Sequence, residues 1–166
     1  MKVFTIYDNA IGFANAFRFL FSKTSLQKLI SSGSYLNATM VMPTVVNGVL
    51  ACELFIKALL DQPSKKHSIL ELLDELESEK PGTKEQLQIT CVMLVRQKKE
   101  DILYDIDQYT KDLERIDNAF IELRYWHEPR AGLQDKVVCN LGFLDVFVSL
   151  LQSVCEEKYG PRPLIE

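Results

Sequence analysis

The chain has 166 residues, 47% of them hydrophobic and 25% charged, with a formal net charge of −4. That length can bury a full apolar core without crosslinks. The negative balance excludes a whole-molecule positive field for nucleic acid, so any RNA contact has to use a local patch. The four cysteines, Cys52, Cys91, Cys139 and Cys155, form no CxxC pair, and with two histidines in the chain they offer no zinc-ligand spacing. We therefore expect reduced core thiols in a cytoplasmic protein, with no metal and no cofactor.

The N-terminal stretch MKVFTIYDNAIGFANAFRFLF is apolar, but it lacks a basic leader followed by a small-residue cleavage site, so no signal peptide is expected. Asp8 is a plausible N-cap for a first helix, with Ile11, Ala14, Phe17, Phe21, Leu26 and Leu29 at mainly helical spacing and an end near Gly33. Residues 33–37 suggest a turn. A second helix is predicted from Ala38 or Pro43 to Leu60, with Pro43 near its first turn or at a kink. Pro43, Asn47, Glu53 and Lys57 interrupt this stretch, and its uncharged run falls short of the roughly 20 residues a membrane span requires, so a buried helix and no membrane are expected.

Ser68-Ile-Leu-Glu71 has the capping-box pattern and predicts a short helix to about Ser78, with Leu70, Leu72, Leu73 and Leu76 as its apolar positions. Pro81-Gly82 is a turn, and Thr83-Lys-Glu-Gln86 resembles another capping box ahead of Leu87, Cys91 and Leu94. From Glu100 to Glu128, Leu103, Ile106, Tyr109, Leu113, Ile116, Phe120 and Leu123 form a stripe spaced by threes and fours, which Pro129 ends. A last helix is predicted from about Cys139 to Lys158, with Leu141, Leu144, Val148, Leu151 and Cys155 inward. Only residues 2–7 alternate convincingly. The expected fold is all-α: residues 1–166 as one bundle of five or six helices with an antiparallel up-and-down core.

The informative residues are charges inside apolar stripes. In Ala51-Cys-Glu-Leu-Phe-Ile-Lys-Ala-Leu-Leu60, Glu53 and Lys57 break an apolar run. At about 100° per residue, Glu53, Lys57 and Asp61 make one polar stripe, each about 40° from the next. The plainer reading is a solvated face carrying a weak ion pair, worth about 0.2–0.5 kcal/mol. The sharper one is a polar seam lining a cleft.

In the second such segment, Asp117, Phe120, Arg124, His127 and Glu128 share one helix side. Arg124, Tyr125, Trp126 and His127 put a fixed cation, two aromatic rings and an imidazole at a helix C-terminus. Structurally, Arg124 would bridge Glu122 or Glu128. Functionally, Arg124 would hold an anionic oxygen by a bidentate hydrogen bond, and His127 would act as general acid or base.

A third segment, Ser64-Lys-Lys-His67, precedes a helix start. It is either an anion site on that helix or a solvated loop with His67 near the cap. Arg96, Lys98 and Lys99 are expected at the surface. The sequence contains no Gly-rich phosphate loop, no HExxH, no GxSxG and no calcium loop.

The run from Ala51 to Leu60, followed by His67-Ser-Ile-Leu-Glu-Leu-Leu73, resembles the signature of HEPN domains. That family shows an acidic residue and a lysine in a helix of this kind, then a His-x-Leu segment. Phe120-Ile-Glu-Leu-Arg-Tyr-Trp-His-Glu128 resembles the family's arginine-bearing helix, and together the matching blocks cover roughly residues 34–159.

The resemblance implies a helical bundle that forms a homodimer, with RNA or a nucleotide as ligand. Activity as a metal-independent endoribonuclease of the toxin–antitoxin or phage-defence type is also implied, as is a nucleotidyltransferase or antitoxin partner. The implied catalytic residues are Arg124 and His127, and the implied binding residues are Glu53, Lys57, Arg124 and Tyr125. Only two residues stand between Arg124 and His127, fewer than in the family's usual motif. The alternative reading is a non-catalytic dimerisation or protein-interaction module.

Overall fold

The structure is a computed structural model that describes residues 5–23, 35–99, 102–124 and 139–162. Among the described residues all regular structure is helical: α1 (Ile6–Lys23), α2 (Tyr35–Leu59), α3 (Ile69–Glu79), α4 (Thr83–Lys99), α5 (Ile106–Arg124) and α6 (Leu141–Tyr159). The predicted all-α bundle is thus observed, with six helices among the described residues.

Apolar residues dominate α2 on several sides, and the packing accounts for this, because α1, α3, α5 and α6 all touch it. The segment Val41–Leu59 is long and apolar enough to cross a membrane by length and composition, with mean hydropathy 1.5; here its faces are spent on four neighbouring helices. Close approach depends on Gly48. A Cβ there would stand 2.7 Å from Leu144 Cδ2 and 2.9 Å from Phe17 Cδ2, so α1 and α6 meet over a bare backbone. Phe17, Phe55, Phe143, Phe147, Leu72 and Leu144 are among the fully buried side chains of the core that results.

Caps set most of the described ends. Ser68 caps α3 by accepting from Glu71 N, as the sequence suggests, and Asn140 caps α6 by accepting from Phe143 N. Three predicted starts need correction. Asp8 is not the N-cap of α1. Thr5 is: its hydroxyl accepts from Asp8 N at 3.1 Å while the Asp8 carboxylate accepts from Thr5 N at 2.9 Å, which is a capping box one turn earlier. The second helix begins at Tyr35, so residues 35–37 are helical rather than a turn, and Pro43 lies inside the helix, its carbonyl accepting from Asn47 Nδ2.

The third correction concerns α5, which starts at Ile106, after Asp105 caps Gln108 N. Leu103 precedes it in an exposed turn, and Ile106 is itself exposed. Tyr109, Leu113 and Ile116 are buried as the stripe predicts. The start of α4 is likewise held from outside. Gly82 N and Lys84 N both donate to the Glu77 carboxylate, at 2.7 and 2.8 Å, and Gln86 N, the donor the predicted Thr83 capping box would use, bonds the Gly82 carbonyl.

Cys52, Cys91 and Cys155 are buried and Cys139 is half-buried, all as free thiols. Burial pushes the thiols of Cys91, Cys139 and Cys155 up to about 12, so at neutral pH they are protonated and unreactive.

Candidate functional site

Glu53 of α2 is only 5% exposed, and the loop before α3 reaches it through His67. Its partner on the next turn, Lys57, places Nζ 2.7 Å from Glu53 Oε1, and that side chain is 11% exposed. This overturns the plainer reading of a solvated face: only Asp61, at the foot of the stripe, is open to water. The polar seam has a third member. His67 Nδ1 lies 2.9 Å from the same Glu53 Oε1, while 72% of the His67 side chain is exposed.

This contact has a chemical consequence. A carboxylate only accepts hydrogen bonds, so in the neutral imidazole the proton sits on Nδ1, facing Glu53. Nε2 is then left as a lone-pair acceptor on the exposed side of the ring. A buried carboxylate thereby fixes the tautomer and orientation of a solvent-facing base, and Lys57 balances the buried charge.

The loop carrying His67 is tied down on both sides. Ser64 and Lys66 hydrogen-bond Glu75, which holds that carboxyl below its usual range, and Lys66 Nζ is 3.1 Å from it. Asp61 N donates to Glu79, and the Asp61 carboxylate receives Lys80 and Lys158. These hydrogen bonds hold its carboxyl below the usual range too. Lys158, Tyr159 and Lys80 also donate to the last carbonyls of α2, at Ala58 and Leu59, completing its C-terminus.

The start of α3 does not serve as an anion site. Asp117, from α5, accepts from Ile69 N at 2.5 Å, from Leu70 N at 3.3 Å and from Ser68 Oγ at 3.1 Å, while Glu71 N is taken by Ser68. The N–H groups that would attract a phosphate are already committed to a carboxylate of the protein itself.

Of the predicted site residues, Glu53 and Lys57 are brought together with His67, which spacing alone does not link to them. The His-x-Leu segment quoted above was the available signal. The Arg124 side chain, Tyr125 and His127 lie outside the described residues, as do Trp126 and Glu128. Arg96, expected at the surface, is exposed and donates to the carbonyl of Tyr104.

A second buried polar cluster escaped the sequence reading. Asp112, fully buried, accepts from Tyr104 Oη, Gln108 Nε2, Arg115 Nη1 and Asn140 Nδ2. Because Asn140 also caps α6, Asp112 joins three structural elements and is a packing device. Its sign in the sequence was its place one residue before Leu113, inside the apolar stripe.

No family model, curated protein or solved structure matches the chain.

Proposed function

We propose that this is an HEPN-like domain that binds RNA or a nucleotide in the cytoplasm, and that it cleaves RNA without a metal. The observation that carries this reading is the exposed His67 imidazole held through Nδ1 by buried Glu53. A histidine needed only for packing has no reason to leave most of its ring in water. In the proposed reaction, His67 Nε2 takes the proton from a ribose 2′-OH, and the 2′-oxygen attacks the adjacent phosphorus. The 5′-oxygen leaves with a proton supplied by His127, giving a 2′,3′-cyclic phosphate. Arg124 stabilises the charge on the pentavalent phosphate, and Tyr125 stacks on a base. The toxin or phage-defence setting rests on the HEPN resemblance alone.

The test is cleavage of varied RNAs, in the presence of a chelator, by the wild type and by His67→Ala, Arg124→Ala and His127→Ala. Loss of activity in the variants supports the reading. Equal activity in all four, or none in any, defeats it.

A second reading, a non-catalytic homodimerisation or interaction module, is favoured by a different observation. Ile89 and Met93 of α4 and Ile106 of α5, which line one open groove, expose 47%, 64% and 52% of their surfaces, and Ile102 and Leu103 in the turn between the helices expose 80% and 83%. Large apolar side chains grouped in this way mark interaction surfaces more often than idle ones. An antitoxin or a nucleotidyltransferase is the partner class this reading carries besides a second copy of the chain. It predicts self-association or partner binding that survives His67→Ala and is lost in Met93→Glu with Leu103→Glu.

A further inference from the structure

The His67 nitrogen that can take a proton can also attack an electrophile. Nδ1 lies 2.9 Å from the buried Glu53 carboxylate, and 72% of the side chain is exposed. With the proton held on Nδ1 by a group that only accepts, Nε2 is the unprotonated nitrogen of the neutral ring. A carboxylate on one imidazole nitrogen raises the basicity of the other, as it does for metal-bound histidines, and a more basic lone pair is a better nucleophile.

The charges around this loop suit an anionic reactant. Glu53 is matched by Lys57 at 2.7 Å, and Glu75 by Lys66 at 3.1 Å. Lys65, exposed two residues before His67, adds a positive charge to the same segment. An imidazole this open can be reached by a donor carried on another protein as readily as by a small molecule.

We propose that His67 Nε2 is a phosphoryl acceptor, taking the group from an activated donor, a phosphoramidate or an acyl phosphate, and holding it for onward transfer. The Nε2 lone pair forms a bond to phosphorus as the bond from phosphorus to the leaving group breaks. That electron pair departs with the leaving group, which is ammonia from a protonated phosphoramidate or a carboxylate from an acyl phosphate. The product ring carries phosphorus on Nε2 and the proton on Nδ1, and its positive charge faces Glu53. Glu53 is thus a positioning residue that sets the tautomer before the transfer and balances the ring charge after it.

This inference goes beyond the RNA reading and does not rest on it. Cleavage as proposed above calls on the side chains of Arg124 and His127, which lie outside the described residues, whereas phosphoryl acceptance calls on His67 and Glu53 alone.

The test is incubation of the whole chain, native and in urea, with phosphoramidate and, in a separate arm, with acetyl phosphate, followed by intact-mass and peptide mass spectrometry at alkaline pH. One phosphoryl group should appear on His67, from at least one donor, at least about tenfold faster in the native chain than in the unfolded one, and the faster donor gives the class. Glu53→Gln should lower the native rate by about tenfold with unchanged far-UV circular dichroism. Nitrogen NMR of the neutral wild-type ring should place the proton on Nδ1. The native-to-unfolded ratio and the tautomer are read on the wild type, so they stand whether or not Glu53→Gln folds.

No adduct from either donor, an adduct confined to His127, equal rates in native and unfolded chains, or a proton on Nε2 would overturn the inference. RNA cleavage by a chain that takes no phosphoryl group removes this inference alone. A phosphorylated His67 in a chain that cleaves no RNA leaves it standing without the cleavage reading.

Discussion

If the Glu53–Lys57 pair is a buried ion pair, breaking it from either side should cost far more than replacing it whole. Glu53→Leu removes a carboxylate that is 5% exposed and strands an ammonium whose side chain is 11% exposed. Breaking a fully buried pair in this way costs about 3–5 kcal/mol. Lys57 lies near the solvent boundary and has a long stem that can turn outward, so the lower end, about 3 kcal/mol, is expected. The lost His67 contact adds little, because water can replace a partner on a ring that is 72% exposed.

Lys57→Met leaves Glu53 with His67 as its remaining partner and should cost about 2–3 kcal/mol. The double variant Glu53→Leu with Lys57→Met puts two apolar side chains in a largely apolar helix and should come within about 1 kcal/mol of the wild type. The measurement is urea unfolding followed by far-UV circular dichroism, comparing midpoints at a common slope. Single costs that add to within about 0.5 kcal/mol in the double variant would refute the pairing. A stable double variant that no longer binds RNA would show that these charges serve the ligand and not the fold.

Three further outcomes follow from the packing and the caps. Gly48→Ala should lower the urea midpoint by the equivalent of about 1–3 kcal/mol, since its Cβ meets Leu144 and Phe17; an unchanged midpoint would mean that α1 and α6 can move apart freely. Asp117→Ala removes a carboxylate accepting two backbone N–H groups and a hydroxyl, at about 1.5–3 kcal/mol, and should exceed Ser68→Ala at about 0.5–2 kcal/mol; the reverse order in denaturant melts would contradict the geometry at the start of α3. The Glu77 carboxyl is held below its usual range by the N–H groups of Gly82 and Lys84, so its stabilisation is full above the unfolded value of about 4.3 and fades as pH falls through the lower folded value. The melting temperatures of wild type and Glu77→Gln should therefore converge in acid, and a gap that widens as pH falls would reverse the sign of the effect.

Where local chemistry decides structure, the sequence was informative. Ser68 sits where its pattern puts it, and Leu144, Val148, Leu151 and Cys155 face inward because a helical period places them on one side. Where two local answers compete, pattern was not enough. Thr5 and Asp8 are both good caps, and reciprocal bonding made Thr5 the cap and Asp8 its return partner. Leu103 extends the apolar stripe of α5 by number alone, yet stands in an exposed turn, since spacing carries no information about where a neighbouring helix ends.

The candidate site shows the same limit more sharply. The Glu53–Lys57 spacing could be read directly, but their burial depends on what covers that face of α2. The third member of the cluster, His67, comes from a loop beyond the helix end. Asp117 caps α3 from a helix that is distant in sequence, a relation no local pattern contains.

The electrostatics of α3 narrow how any ligand can be held. A helix N-terminus is the usual source of backbone donors for phosphate, but Asp117 occupies the N–H groups of Ile69 and Leu70 and brings its own negative charge. An anion on this side of the bundle would have to be held by side chains. The loop that presents them has no regular structure, yet it is held at Asp61 by Glu79, Lys80 and Lys158, at Lys66 by Glu75, and at His67 by Glu53. Five anchors on seven residues hold this loop, and under the proposed function they would position the imidazole edge before a ligand arrives.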